Sequence, residues 1–201
     1  MNLIAISLLS FFGLTGFLQT DQILNEIKAY QQKLNADYKT PGKSPLEAKA
    51  RKKFKGHNFF EIDLKYRVVA KFERLAAREV YKMNTSTTRI AEYQKYAIAT
   101  FQLDGVEHKL TLFKSESLSR TPGYENYLFL PFTDATTGNT TYGAGRYLDV
   151  QIPEGNEIII DFNRAYNPYC AYSDNYSCPR VPEENTLSVE IKAGVSFSNK
   201  H

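Results

Sequence analysis

The sequence predicts a mainly β fold, an antiparallel barrel or sandwich of about seven or eight strands behind an N-terminal helical segment. Three observations carry this reading. From Tyr66 onward, short runs alternate apolar and polar residues, the period of a strand with one wet face. Turn sequences separate the runs, above all Asp104-Gly105, which suits a two-residue hairpin that needs positive φ. No helical crossover pattern and no internal repeat interrupts the series. With 201 residues, 42% of them hydrophobic and 23% charged, the chain is one globular unit with a substantial core.

The first twenty residues carry no charged side chain, and Leu3 to Leu18 is an almost continuous apolar run. It falls short of the ~20 apolar residues of a membrane span and matches an export signal with cleavage between Gly16 and Thr20. Residues 1–20 are therefore read as a signal peptide, with an uncleaved anchor or a buried helix as the structural alternatives. The expected location is outside the cytoplasm, periplasmic or extracellular, with membrane contact only through an uncleaved N-terminus. Residues 21–56 form the helical segment. Ile23, Ile27, Tyr30 and Leu34 recur at helical spacing, and Ser44-Pro45 with Glu47 reads as a capping box opening a second short helix that Gly56 stops.

The β unit occupies 57–201. Tyr66, Val68, Ala70 and Phe72 point one way and Arg67, Lys71 and Glu73 the other. Arg78 to Met83 is a short strand, and Tyr96 to Leu103 and Val106 to Phe113 flank the Asp104-Gly105 turn. Tyr127 to Phe132 is apolar on both faces and is expected to run through the centre of the fold. Tyr147 to Ile152 buries Leu148, Val150 and Ile152, Glu157 to Asn163 buries Ile158, Ile160 and Phe162, and Leu187 to Ala193 is the last alternating strand.

Composition excludes several function classes. Lys+Arg 25 against Asp+Glu 22 leaves +3, no basis for a nucleic-acid partner, and the basic cluster from Lys49 to Lys55 lacks interleaved aromatics. Two Cys and three scattered His offer no metal cage, and Gly143-Ala144-Gly145 lacks the third glycine and the helix of a dinucleotide site. No cofactor and no metal are expected.

The distinctive chemistry lies between Phe132 and Asn185. Phe132-Thr133-Asp134-Ala135-Thr136 and Tyr142-Gly143-Ala144-Gly145-Arg146-Tyr147-Leu148 precede Asp161-Phe162-Asn163-Arg164-Ala165-Tyr166-Asn167-Pro168-Tyr169-Cys170-Ala171. Cys178-Pro179, Glu184-Asn185 and Ala193-Gly194 follow. On these motifs, with Ser44-Pro45-Leu46 and Phe54-Lys55-Gly56, the chain resembles the domain of unknown function 1684 family over about 21–195. It departs at Tyr169 and Val181, positions the family usually fills with Pro. The family has no established activity, so the resemblance implies none.

The residues themselves leave three readings. The first is a module that binds a small polar or anionic ligand through Arg146, Asp161, Asn163, Arg164, Tyr166 and Asn167, with an arginine gripping the anion. Tyr142, Tyr147, Tyr166, Tyr169, Tyr172 and Tyr176 crowd the same region and offer flat faces to a sugar or an aromatic. The second is a hydrolase-type enzyme with Asp161 or Glu184 as general base beside a stabilising arginine. The third is a structural or partner-binding protein whose buried Asp161, Arg164 and Arg146 pin loops to the sheet. In an oxidising compartment Cys170 and Cys178 would close a disulfide, contributing ~2–3 kcal/mol. A reduced catalytic thiol is the alternative, and no His lies near in sequence to activate it.

Overall fold

A computed structural model describes residues 11–76 and 80–197. Residues 1–10 of the candidate signal, and Arg78 and Glu79 of the expected second strand, lie outside them. Alternation decides the architecture. In β1 (Arg67–Arg74) Val68, Ala70 and Phe72 are buried while Val69 is 61% exposed. β2 (Val80–Asn84), β3 (Ile90–Leu103), β4 (Val106–Lys114), β5 (Tyr127–Phe132), β6 (Arg146–Gln151) and β7 (Glu157–Asp161) complete a 7-stranded antiparallel sheet. It curls into a half-barrel, the expected mainly β architecture behind an N-terminal helix.

The order is β6-β5-β4-β3-β1-β7, and β2 also pairs with β3. β3 is longer than its alternation alone predicts, because one edge serves two partners in sequence. Its Ile90–Gln94 stretch pairs with β2, and its Ala97–Thr100 stretch pairs with β1 across a bulge between Lys95 and Ala97. The β3–β4 hairpin turns on Asp104 at φ 50° and Gly105 at φ 78°, the two positive values a type I′ turn requires.

Two apolar layers form. The main core packs Leu110, Leu112, Leu130, Phe132, Leu148, Ile160 and Phe162 inside the curl. The opposite face carries an aromatic layer of Met83, Phe113, Phe129 and Tyr147, with Tyr81, Tyr93, Tyr127 and Tyr166 packed on it. This explains β5, buried on both faces: it lies second from the sheet edge, not at the centre, and separates the two layers.

The helix α1 (Phe11–Lys39) is longer than expected, running through the expected cleavage region. Its inner stripe is the expected one, with Ile27 and Tyr38 buried and Ile23, Tyr30 and Leu34 half-buried. It docks on the 3₁₀ turn Phe162–Arg164, where Gln31 Nε2 donates to the Asn163 carbonyl at 3.2 Å. Among the described residues no helix is long and apolar enough to cross a membrane.

Three local expectations need correction. The second helix, α2 (Ala48–Lys53), starts after Glu47, and Ser44 Oγ accepts the Leu46 N–H at 3.1 Å instead of closing a capping box. Pro45 and Leu46 are buried in a bend where the helix was expected to begin. β7 ends at Asp161 because the Asp161 side chain accepts the Asn163 N–H and turns the chain into the 3₁₀ turn. Leu187 to Ala193 is not a strand: Leu187, Ile191 and Ala193 are buried as the alternation requires, but its backbone bonds go partly to the loop residues Thr133 and Ala135 and partly, at Ile191 and Ala193, to side chains.

Candidate functional site

Most of the expected site residues are committed to internal partners. Arg146, at the head of β6, is fully buried. Its Nη2 pairs with Asp134 Oδ2 at 2.8 Å and donates to the Ile191 carbonyl at 2.8 Å, and Nη1 donates to the Ala193 carbonyl. Asp161 does not join it. Asp161 Oδ2 pairs with Arg67 Nη1 at 2.8 Å, and Oδ1 accepts from Asn163 N and Nδ2 at 3.1 and 3.0 Å. Asn163 clasps the Asp63 backbone, Nδ2 donating to its carbonyl and Oδ1 accepting its N–H. Asn167 is buried, with Nδ2 donating to the Tyr172 hydroxyl at 3.0 Å and Oδ1 without a hydrogen-bond partner among the described residues. Glu184 pairs with Lys95 at 2.5 Å, both half exposed. Neither Asp161 nor Glu184 is therefore a free base.

Of the remaining two, Tyr166 lines a cleft that the sequence does not single out, and Arg164 stands behind its wall residue Tyr30. Arg164 is exposed, its guanidinium 4.5 Å over the Tyr30 ring. Tyr166 reaches into the cleft beside Asp149. This cleft, of about 570 Å³, has α1 as one wall through Tyr30, Leu34 and Asp37. Its floor is the outer face of β5 and β6, where Phe129 pairs with Asp149 and Pro131 with Tyr147. Tyr166, Tyr169 and the Tyr176–Pro179 loop form the other wall. Backbone bonds between Tyr147 and Tyr166 at 2.9 and 3.0 Å hold that wall to the floor.

Asp149 is the chemical centre. Its Oδ1 accepts the Tyr127 hydroxyl at 2.8 Å and the Tyr166 hydroxyl at 2.7 Å. No described residue donates to Oδ2 or forms an ion pair with it. Water reaches the carboxylate, yet protein surrounds it on most sides. That crowding pushes its pKa above the ordinary value, and the two hydroxyls and the charge of Arg164 only partly offset it. Burial also holds the Tyr127 and Tyr166 phenols far above their ordinary range, so both remain donors. Sequence alternation does place Asp149 opposite Leu148 and Val150. The missing signal was that β5, apolar on both faces, implies a covered outer face that Asp149 shares.

A second cleft of about 600 Å³ adjoins it, lined by Tyr142, Asp174, Cys170 and Cys178. The expected disulfide is not formed. Both cysteines are free, and the Cys170 N–H donates to Cys178 Sγ at 3.2 Å. The expectation rested on compartment, not on geometry. The Cys178 thiol and the Tyr142 and Ser86 hydroxyls favour the Cys170 thiolate and bring its pKa down to about 6 without any histidine, against its partial burial. Among the described residues no three His, Cys, Asp or Glu side chains group as metal ligands.

A family model described as a protein of unknown function, DUF1684, matches residues 52–196, narrower than the expected span. The solution NMR structure of an uncharacterized protein from Haloarcula marismortui is similar in sequence and fold. Identity is 34% and the TM-score 0.70, over 91% of this chain and 98% of that one. No curated protein matches.

Proposed function

The chain belongs to the DUF1684 family of proteins of unknown function, and from that premise we propose that it binds a small polar ligand in the cleft around Asp149. The observation that carries this reading is a solvent-open carboxylate with a free Oδ2, ringed by tyrosines at the floor of a ligand-sized cleft. A carboxylate held this way costs stability. Its folded pKa lies above the ordinary value of 3.8, so the contribution of the protonated form is present below that value and is lost as pH rises through the folded pKa.

Asp149→Asn keeps an oxygen for both hydroxyls and removes the charge. It is expected to raise the melting temperature by ~2 °C at neutral pH, a gain kept small by solvent access, and to leave it unchanged near pH 3. The same variant should weaken hydroxyl- or amine-bearing fragments whose binding shifts the amide signals of Tyr127, Tyr147 and Tyr176. A several-degree drop in melting temperature would make Asp149 a structural clasp for Tyr127 and Tyr166, and fragments that shift only other surfaces would remove the site. Acid–base catalysis by Asp149 is the second reading, favoured by its raised pKa in an open cleft. It requires that the wild type convert a cleft-bound ligand over time and that Asp149→Asn leave it intact.

The reading includes export to the periplasm or the exterior. Its support is the uncharged first twenty residues and the docking of α1, where Ile27 is the first buried side chain among those described. Removal of the segment up to Gly16–Thr20 leaves that docked part whole. Mature protein from the native host is expected to begin near residues 17–21 by N-terminal sequencing. An intact Met1 on soluble intracellular protein would overturn this.

A further inference from the structure

We propose that the Asp149 cleft selects small organic cations, primary or quaternary ammonium compounds, over neutral and anionic ligands; this deepens the binding reading above and rests on it. The charges lining the cleft do not balance. Asp37 is already neutralised, at 2.6 Å from Lys33 and 3.2 Å from Lys43. Asp149 has only the two phenolic hydroxyls on Oδ1, which stabilise the anion without neutralising it. A carboxylate crowded by protein and lacking a counter-ion attracts a cation more strongly than the same group in open water, because the surrounding rings screen it poorly.

The walls match that preference. Tyrosine faces carry the negative lobe of the ring quadrupole and attract ammonium groups. The chain already uses one of them this way: the Arg164 guanidinium sits 4.5 Å over Tyr30, a wall residue of this cleft. An anion would meet Asp149 and the same ring faces, both repulsive. About 570 Å³ is more room than an ammonium head needs, so the ligand carries a short polar tail that the remaining tyrosine hydroxyls reach. Arg164 acts on Asp149 through space without forming an ion pair, so it works against an incoming cation and sets how tightly one is held.

The test uses the full chain and three probes in titration calorimetry: choline, its neutral isostere 3,3-dimethylbutan-1-ol, and acetate. Wild-type protein is expected to bind choline at least tenfold more tightly than the isostere, a comparison that needs no variant. Asp149→Asn should remove that tenfold preference and leave the isostere unchanged, and Arg164→Ala should tighten choline severalfold. Equal affinity for choline and the isostere overturns the cation proposal and leaves the cleft a binder of neutral ligands. Acetate binding that Arg164→Ala abolishes overturns it in favour of an anion site. If no probe and no fragment shifts a cleft residue, the binding reading falls with it.

Discussion

Replacing Arg146 with Met is expected to lower the melting temperature by ~10 °C, since breaking a buried ion pair costs about 3–5 kcal/mol and each kcal/mol is worth ~2–4 °C in a chain of this size. The guanidinium does what a strand would otherwise do. Asp134 follows β5, Arg146 opens β6, and between them they hold the segment from Leu187 to Val195 against the sheet. Asp134 Oδ1 accepts the Ile191 N–H at 3.2 Å, and Arg146 donates to the Ile191, Ala193 and Val195 carbonyls. The guanidinium also lies 5.1 Å over the Phe132 ring. Removing it leaves Asp134 as a buried carboxylate without a counter-ion and several carbonyls without donors. The double variant Asp134→Asn/Arg146→Met is expected to recover part of the loss, because the residual charge goes with it. Urea and thermal denaturation of the four proteins measure the coupling. A single variant within ~2 °C of wild type that no longer binds ligand would return Arg146 to the binding site expected from sequence.

This network also marks where sequence reasoning works and where it stops. Local rules transfer well. Asp104-Gly105 turns as its φ preferences require, and Val68, Ala70, Phe72, Ile158 and Ile160 face the core their alternation assigns. Alternation reports which side chains are buried, and it does so even from Leu187 to Ala193. It does not report who bonds the backbone. There Leu187 and Val189 bond the backbone of Thr133 and Ala135, and Ile191 and Ala193 bond the side chains of Asp134 and Arg146, so a stretch with strand periodicity is not a strand. The candidate cleft around Asp149 was not legible in the sequence for a related reason. Arg146, Asp161, Asn163 and Asn167 are the chemically rich residues of the signature, but polar richness in a buried loop is spent on satisfying that loop. Asp149 looked like one polar position of an alternating strand. Its meaning depends on what covers the other face of the sheet, and α1 and the Tyr166–Pro179 loops arrive there from distant parts of the chain. The cysteines show the same limit, since compartment predicts a bridge and the folded loop holds two thiols.

Asn185→Leu is expected to cost at least ~3 kcal/mol, because it strands three buried backbone groups at about 1–3 kcal/mol each. β4 and β5 pair only at Phe113 and Phe129. In that register the next hydrogen-bonded position sets Thr111 opposite Pro131, and proline has no N–H to return to the Thr111 carbonyl. The ladder opens there and the Asn185 side chain enters the gap. Its Oδ1 accepts the Thr111 N–H at 2.8 Å, and its Nδ2 donates to the Thr111 carbonyl at 2.9 Å and the Pro131 carbonyl at 2.7 Å. One amide thus stands in for the donor that Pro131 lacks and for the acceptor that the separated strands no longer bring together. Asn185→Asp tests the polarity of the arrangement. It keeps the acceptor and turns the donor against two carbonyls, so it should destabilise at neutral pH and recover in part as acid restores a donating O–H. Pro131→Ala gives the strand its N–H back, and the pair Pro131→Ala/Asn185→Leu should be less damaged than the sum of the two single changes, because the ladder can then close without the wedge. Additive losses in denaturant titrations would mean that Asn185 holds the strands by packing alone, and that the missing proline N–H is not what the side chain replaces.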